Sequence, residues 1–245
     1  MTTTLTTPAE LAAHHGWRRV LAVGAHPDDL DFGAAATLAG FSAAGLHIEL
    51  CIVTDGDAGG FDSEGPEAMT ARRHAEQRAA AAVVGAAEVH FLGERDGHLE
   101  PDHGVRRKLV ALMRRVRPDV VLIDTESPGR DVMEQVVLVT RDQPRPIVMF
   151  TDDSDPDAMR QAIRAGVSAY IVEGIQAQRL KPILDVAMAR FESDQAIRAQ
   201  LQAREQQLAE RKRIELAKGM LMKMRNCKEE EAYTLMRRQA MSRQQ

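Results

Sequence analysis

Arg117-Pro118-Asp119-Val120-Val121-Leu122-Ile123-Asp124 is the stretch on which the fold turns. A Pro-Asp step precedes four apolar residues, and an aspartate ends them, as in a strand buried on both faces of a parallel sheet. Runs of the same kind stand on either side of it. Val20–Gly24, Ile48–Thr54 and Glu88–Leu92 precede the strand at Asp119–Ile123, and Ile147–Thr151 and Ala169–Val172 follow it. Helical patterns at Gly33–Ala44, Met69–Val84, Gly104–Val116, Asp131–Thr140, Pro156–Ala165 and from Leu180 onward fill the gaps. This alternation predicts the α/β class, a doubly wound parallel sheet of Rossmann-like or flavodoxin-like type with about six strands and helices on both faces. From Phe191 the chain has no proline and a lone Gly219, and it is rich in Ala, Glu, Gln, Arg, Lys and Met, so it predicts a C-terminal α-helical extension.

The 245 residues suffice for one or two domains with a substantial core. A net charge of −4 argues against wholesale polyanion binding and leaves room for a local basic patch. Cys51 and Cys227 form neither a disulfide framework nor a metal knuckle. The opening residues lack a basic-then-apolar leader, and no apolar run approaches the roughly 20 residues that span a bilayer. The expectation is a cytoplasmic protein with no membrane partner.

Two groups of residues carry chemistry. Val23-Gly24-Ala25-His26-Pro27-Asp28-Asp29 places an imidazole and two carboxylates just beyond a buried strand, where doubly wound sheets bind ligands. Such groups suit a zinc ion with a neighbouring general base, or simply a Pro-Asp turn that caps the next helix. The wider context resembles the PIG-L/LmbE family of zinc-dependent N-deacetylases. The matching words are AHPDDLDFGAAATLAG at 25–40, VTDGDAGG at 53–60, RRHAEQRAAAAVVG at 72–85 and FLGERDGHLEP at 91–101. The resemblance implies His26 and Asp29 as metal ligands, Asp28 as catalytic base, Asp55 and Asp57 in the same crevice, and Arg73 and Glu76 as braces. The implied substrate is a small N-acetylated sugar or related amide. Family members add a histidine after the fourth strand. Here that strand runs into Thr125-Glu126-Ser127-Pro128-Gly129, and no histidine follows His103. His98 and His103 precede the next helix, on another part of the rim.

The stretch from Val120 to about Ala189 resembles the latter part of a response-regulator receiver. Asp124 stands at the phosphoacceptor strand end, Thr151 ends the next strand, and Glu173 stands where the resemblance calls for lysine. Residues 209–241, AERKRIELAKGMLMKMRNCKEEEAYTLMRRQAM, resemble the ANTAR domain, an RNA-binding module of antitermination regulators. Ile214, Ala217, Leu221 and Met224 would share one helix face, with a second helix starting between Glu229 and Tyr233 and packing through Leu235, Met236 and Met241. Lys212, Arg213, Lys218, Lys223, Arg237 and Arg238 would face the phosphates of an RNA hairpin. A solvated amphipathic helix pair is the alternative. The chain stops at Gln245, where family members continue into a third short helix. Ile197, Leu201 and Leu208 hint at a seam that Arg204 and Arg211 interrupt, and homodimerisation through the C-terminal helices rests on the resemblance.

Both resemblances place the Val120–Ile123 strand beside the first strand, which implies the order 3-2-1-4-5-6 across a chimeric join near 118–123. The expected parts are a PIG-L-like stretch at 1–122, a receiver-like stretch at 123–190 completing the same sheet, and a helical linker with an ANTAR-like domain at 191–245. His26, Asp29 and Asp124 would then meet as a hybrid site for Zn²⁺ or Mg²⁺. Three functions stay open: an ANTAR-type RNA-binding regulator with a hybrid sensor, a zinc N-deacetylase, and a scaffold without activity.

Overall fold

The computed structural model describes residues 7–58, 65–98, 103–125, 144–172 and 177–243. The chain divides into two compact units, Met1–Phe191 and Glu192–Gln245. In chain order the first unit has α1 (Pro8–His15), β1 (Arg19–Gly24), α2 (Asp29–Phe32), α3 (Ala35–Ala43), β2 (His47–Thr54) and α4 (Pro66–Val84). It continues with β3 (Glu88–Glu94), α5 (His103–Val116), β4 (Val120–Asp124), β5 (Ile147–Thr151), α6 (Pro156–Ala165) and β6 (Ala169–Val172). Helix α7 (Ala177–Arg225) passes from the first unit into the second, where α8 (Glu229–Arg243) follows it.

The six strands lie in the order β3-β2-β1-β4-β5-β6, all parallel, as the sequence predicts. Every residue of β4 is buried, and its register sets Val20 opposite Val120 and Gly24 opposite Asp124. Side chains alternate between two cores because strand residues point to opposite faces in turn. On one face Val20, Ile48, Val120 and Leu122 pack with Leu11, Trp17, Leu38 and Phe41. On the other, Leu21, Cys51, Val121 and Ile123 meet Val105, Leu109 and Leu112 of α5. Sheets covered on both faces read as unbroken apolar runs, which is why β4 was legible.

Several element boundaries differ from expectation, each for a local reason. Strand β4 begins at Val120, because the Asp119 carboxylate accepts the backbone N–H groups of Arg18 (2.7 Å) and Arg19 (2.9 Å) and ties the feet of β1 and β4 together. The helix expected over Gly33–Ala44 begins only at Ala35, since the N–H groups of Gly33 and Ala34 donate to Asp124, and a separate short helix precedes it. Helix α1 was not foreseen, although Thr7 and Glu10 form a complete capping box around Pro8. Helix α4 starts at Pro66, where a missing N–H costs nothing. The expected helix at Asp131–Thr140 and the residue Glu173 lie outside the described residues.

Candidate active-site crevice and helical tail

Strand β1 ends at Gly24, where a Cβ would stand 3.2 Å from that of Asp29, so the chain folds back on itself at once. In the turn that follows, the His26 N–H donates to Asp29 Oδ2 at 2.8 Å, and that oxygen lies 3.8 Å from His26 Nδ1. His26 Nε2 lies 3.0 Å from Asp96 Oδ1, beyond the end of β3. Asp28 takes a left-handed backbone, φ 97°, which suits glycine or asparagine better and is held by two contacts. Its N–H donates to the buried Gln77 Oε1 at 2.8 Å, and its Oδ2 accepts from the Arg73 guanidinium at 2.9 Å. Arg73 also lies 3.8 Å from Glu76, so it braces the fold and grips the candidate base together.

The remaining carboxylates of the crevice are likewise engaged. Asp55 meets His74 Nε2 at 3.1 Å, and the His74 ring stacks on Phe91 at 3.7 Å. Asp57 accepts the Asp96 N–H at 2.8 Å, and that bond, with the Arg95 side chain, holds its carboxyl below the usual range. Burial, then the charge of Asp28, raises Asp31 above it. Sequence reasoning quoted the word containing Asp96 without singling it out, and passed over Gln77. Nothing in their local pattern marks either one, because both act by reaching across from a different element.

Asp124 is 8 % exposed and sits against Gly33, where a Cβ would fall 2.2 Å from Oδ2. Burial, then the charges of Asp29 and Asp152, push its carboxyl up to about 7, against the Ala34 and Gly33 N–H groups that favour the ionised form. Its Oδ2 is buried with no hydrogen-bond partner in the protein. Thr151 is buried one strand away and accepts the Asp153 N–H at 3.1 Å. The strand order thus brings Asp124 into electrostatic reach of Asp29, at the switch point between β1 and β4.

Catalytic zinc normally takes three protein ligands. The crevice offers His26 and Asp29 on one turn. Among the described residues, two groups bring three or more metal-binding atoms within 4.8 Å, His14-His15-Asp185 and Glu49-Glu88-His90. The expected trio of His26, Asp29 and Asp124 is not one of them, and His98 (its Nδ1 3.1 Å from the Asp96 carbonyl) and His103 lie on the exposed rim. As arranged, the crevice does not fit a three-ligand zinc ion. Neither group is all-carboxylate, so the oxygen-only shell that magnesium prefers finds no support among the described residues.

In the helical unit, Asn226 takes a left-handed backbone, φ 47°, that ends α7, and the Cys227 N–H reaches the Met222 carbonyl at 3.3 Å. Lys218 bonds both Glu215 and Glu229 at 2.7 Å, which ties the end of α7 to the start of α8 and raises its own pKa through those two carboxylates. Lys218, one of the residues expected to face RNA, makes both of these contacts. Lys212, Arg213, Lys223, Arg237 and Arg238 are exposed. Ala217 and Leu221 are half-buried and Ala232 is buried, whereas Met224 and Met241, expected in the interhelical seam, are 83 % and 61 % exposed. Among the described residues, no helix is long and apolar enough to cross a membrane.

Comparisons with known proteins agree with this division. The ANTAR domain family matches residues 202–245. The transcriptional regulatory protein PdtaR of Mycobacterium tuberculosis is 29 % identical over 153 residues, covering 62 % of this chain and 75 % of its own. The diacetylchitobiose deacetylase of Thermococcus kodakarensis is 32 % identical over 108 residues, 43 % of this chain and 40 % of its own, so the chain spans less than half of that relative. Among solved structures, the N,N'-diacetylchitobiose deacetylase of Pyrococcus horikoshii aligns with a TM-score of 0.48 at 20 % identity, over 69 % of this chain and 73 % of that one. The GlcNAc-PI de-N-acetylase family, PIG-L, matches residues 21–158. That match takes in more than half of the sequence, and the chain therefore belongs to the PIG-L family.

Proposed function

We propose that the chain is an ANTAR-type RNA-binding antitermination regulator whose PIG-L-type α/β unit serves as a sensor and not as a working hydrolase. The observation that carries it is Lys218, which fixes the α7–α8 elbow while Lys212, Arg213, Lys223, Arg237 and Arg238 stay exposed. A fixed elbow presents charge in one geometry, so less side-chain and hinge entropy is lost on meeting a phosphate backbone. Further support comes from the length of the alignment to PdtaR, since 153 residues is more than residues 192–245 contain and so reaches into the α/β unit. The receiver-like reading of 123–190, with Asp124 as phosphoacceptor and Thr151 as its neighbour, belongs to this proposal. So does a homodimer formed through the C-terminal helices.

Hairpin RNA titrated against the full chain tests it. Salt-dependent binding is expected, and Arg237→Gln with Arg238→Gln should weaken it and lower the slope of log K against log salt by about 2. Salt-insensitive or undetectable RNA binding would sink the proposal.

A second function has one observation in its favour: the crevice gathers His26, Asp28, Asp29, Asp57 and Asp96 at the ends of β1, β2 and β3. On that basis the chain is an N-deacetylase for a small N-acetylated substrate. Asp28 would accept a proton from the attacking water once Arg73 releases it. Amide hydrolysis that disappears in Asp28→Asn is the expected outcome, and hydrolysis that survives would exclude Asp28 as base.

A further inference from the structure

We propose a zinc site that fastens α1 to α7, built by His14 and His15 at the end of α1 and by Asp185 of α7. All three residues belong to the α/β unit, and the inference does not rest on either function above. One donor atom from each residue lies within 4.8 Å of the other two. His15 Nε2 and Asp185 Oδ1 stand 3.1 Å apart, on side chains 9 % and 34 % exposed. A tetrahedral zinc ion, with bonds of about 2 Å to nitrogen and oxygen, spaces neighbouring donors about 3.3 Å apart. That pair therefore already has nearly the separation the ion requires. His14 is exposed, and its ring stands edge-on to that of His15 with 4.8 Å between centroids. A change of rotamer at this exposed ring closes the remaining distance.

The backbone that carries these donors is held without the ion. Leu11 and Ala12 of α1, Trp17 just after it, and Leu184 and Ala187 of α7 all lie in one buried core. The His15 ring also stacks on Trp17, with 5.0 Å between centroids and 26° between planes. Donors already in place lose less conformational freedom on binding. The C-terminal end of α1, where both histidines stand, carries the negative end of the helix dipole and favours a cation. Two imidazole nitrogens and a carboxylate oxygen are a three-ligand set for zinc with water in the fourth position, whereas calcium and magnesium prefer oxygen alone. In the metal-free protein a proton lies between His15 Nε2 and Asp185 Oδ1. Zinc takes its place: a neutral His15 keeps its one proton on Nδ1, and one hydrogen bond is exchanged for two metal bonds. The bound ion would fix the base of α7, the helix that continues into the second unit.

The test is competition of the full chain, stripped of metal, against a chromophoric zinc chelator, with Co²⁺ as a spectroscopic substitute. One equivalent of zinc and the intense visible bands of four-coordinate Co²⁺ are expected. His14→Gln, which alters an exposed side chain, and Asp185→Asn, which keeps the shape of the original, should each weaken binding by more than about 100-fold, beyond the loss that follows removal of a partner behind a ligand. Zinc should raise the unfolding temperature of the wild-type chain and leave that of His14→Gln where it was, because an ion bound only by the folded state stabilises it. His26→Gln, in the crevice, should bind zinc as the wild type does. Absence of zinc binding, wild-type affinity in either His14→Gln or Asp185→Asn, or loss of binding in His26→Gln would each overturn the proposal.

Discussion

The α/β unit and the helical unit solve the burial problem in opposite ways. The first covers every residue of β4 and packs both sheet faces into closed cores. In the second, Ala232 is the one buried hydrophobic among the described residues, while Leu201, Leu208, Leu216, Met220 and Tyr233 are each more than half exposed. An open apolar hollow along α7, lined by Leu208, Leu216 and Met220 with Lys212 and Lys223 at its rim, makes the contrast plain. A unit that buries its own apolar surface specifies its own fold. One that leaves apolar and basic side chains interleaved on the outside is shaped for what it touches.

Five substitutions would break or sharpen that comparison. Leu122→Ala, 1 % exposed in β4, should cost about 2–5 kcal/mol in urea unfolding, whereas Leu216→Ala, 66 % exposed, should stay within about 0.5 kcal/mol. Equal losses would erase the distinction.

Asp124→Asn should act next most strongly, and its sign depends on pH. The folded carboxyl titrates near 7 and the unfolded one near 3.8, so the folded state holds the proton more tightly. Stability of the metal-free protein should therefore fall as pH rises through that window, by up to roughly 4 kcal/mol, and level off above it. The asparagine variant should lack the slope and be the more stable protein at pH 8. A variant less stable than wild type at pH 8 would show that Asp124 is needed in its ionised form.

Gly33→Ala should cost about 1–3 kcal/mol, because its Cβ would fall on the Asp124 carboxylate at 2.2 Å although its φ of −97° suits any residue. Unchanged stability would mean that Asp124 has room to move. Lys218→Met should have the smallest effect on folding, a modest loss of helical circular dichroism that wild type also shows as salt rises. If it abolishes RNA binding with the helices intact, Lys218 touches RNA and the elbow assignment falls.

Much of the architecture was legible because the strands are continuous apolar runs and the tail is a long proline-free segment. The capping box at Thr7 and Glu10 was equally visible and went unread, so α1 was missed. The site was legible only in part. His26, Asp28 and Asp29 stand in one word, whereas Asp96, Arg73 and Gln77 reach them from β3 and α4. Sequence order carries no trace of those distances. Lys218 shows the same limit, since helical spacing marks it as a surface cation and cannot tell that Glu229 lies across the turn.

By itself the sequence determined the α/β class, the places of the strands, the helical tail and the lack of any histidine beyond β4, because each depends on residue type and local period alone. Tertiary structure decided how those residues are spent. Once strand order sets β4 beside β1, Asp124 is buried facing Asp29, and its carboxyl titrates near neutrality. Once β3 lies beside β2, His90 meets Glu49. Burial and the charge of a neighbour are properties of the folded arrangement, and they set the chemistry that residue names leave open.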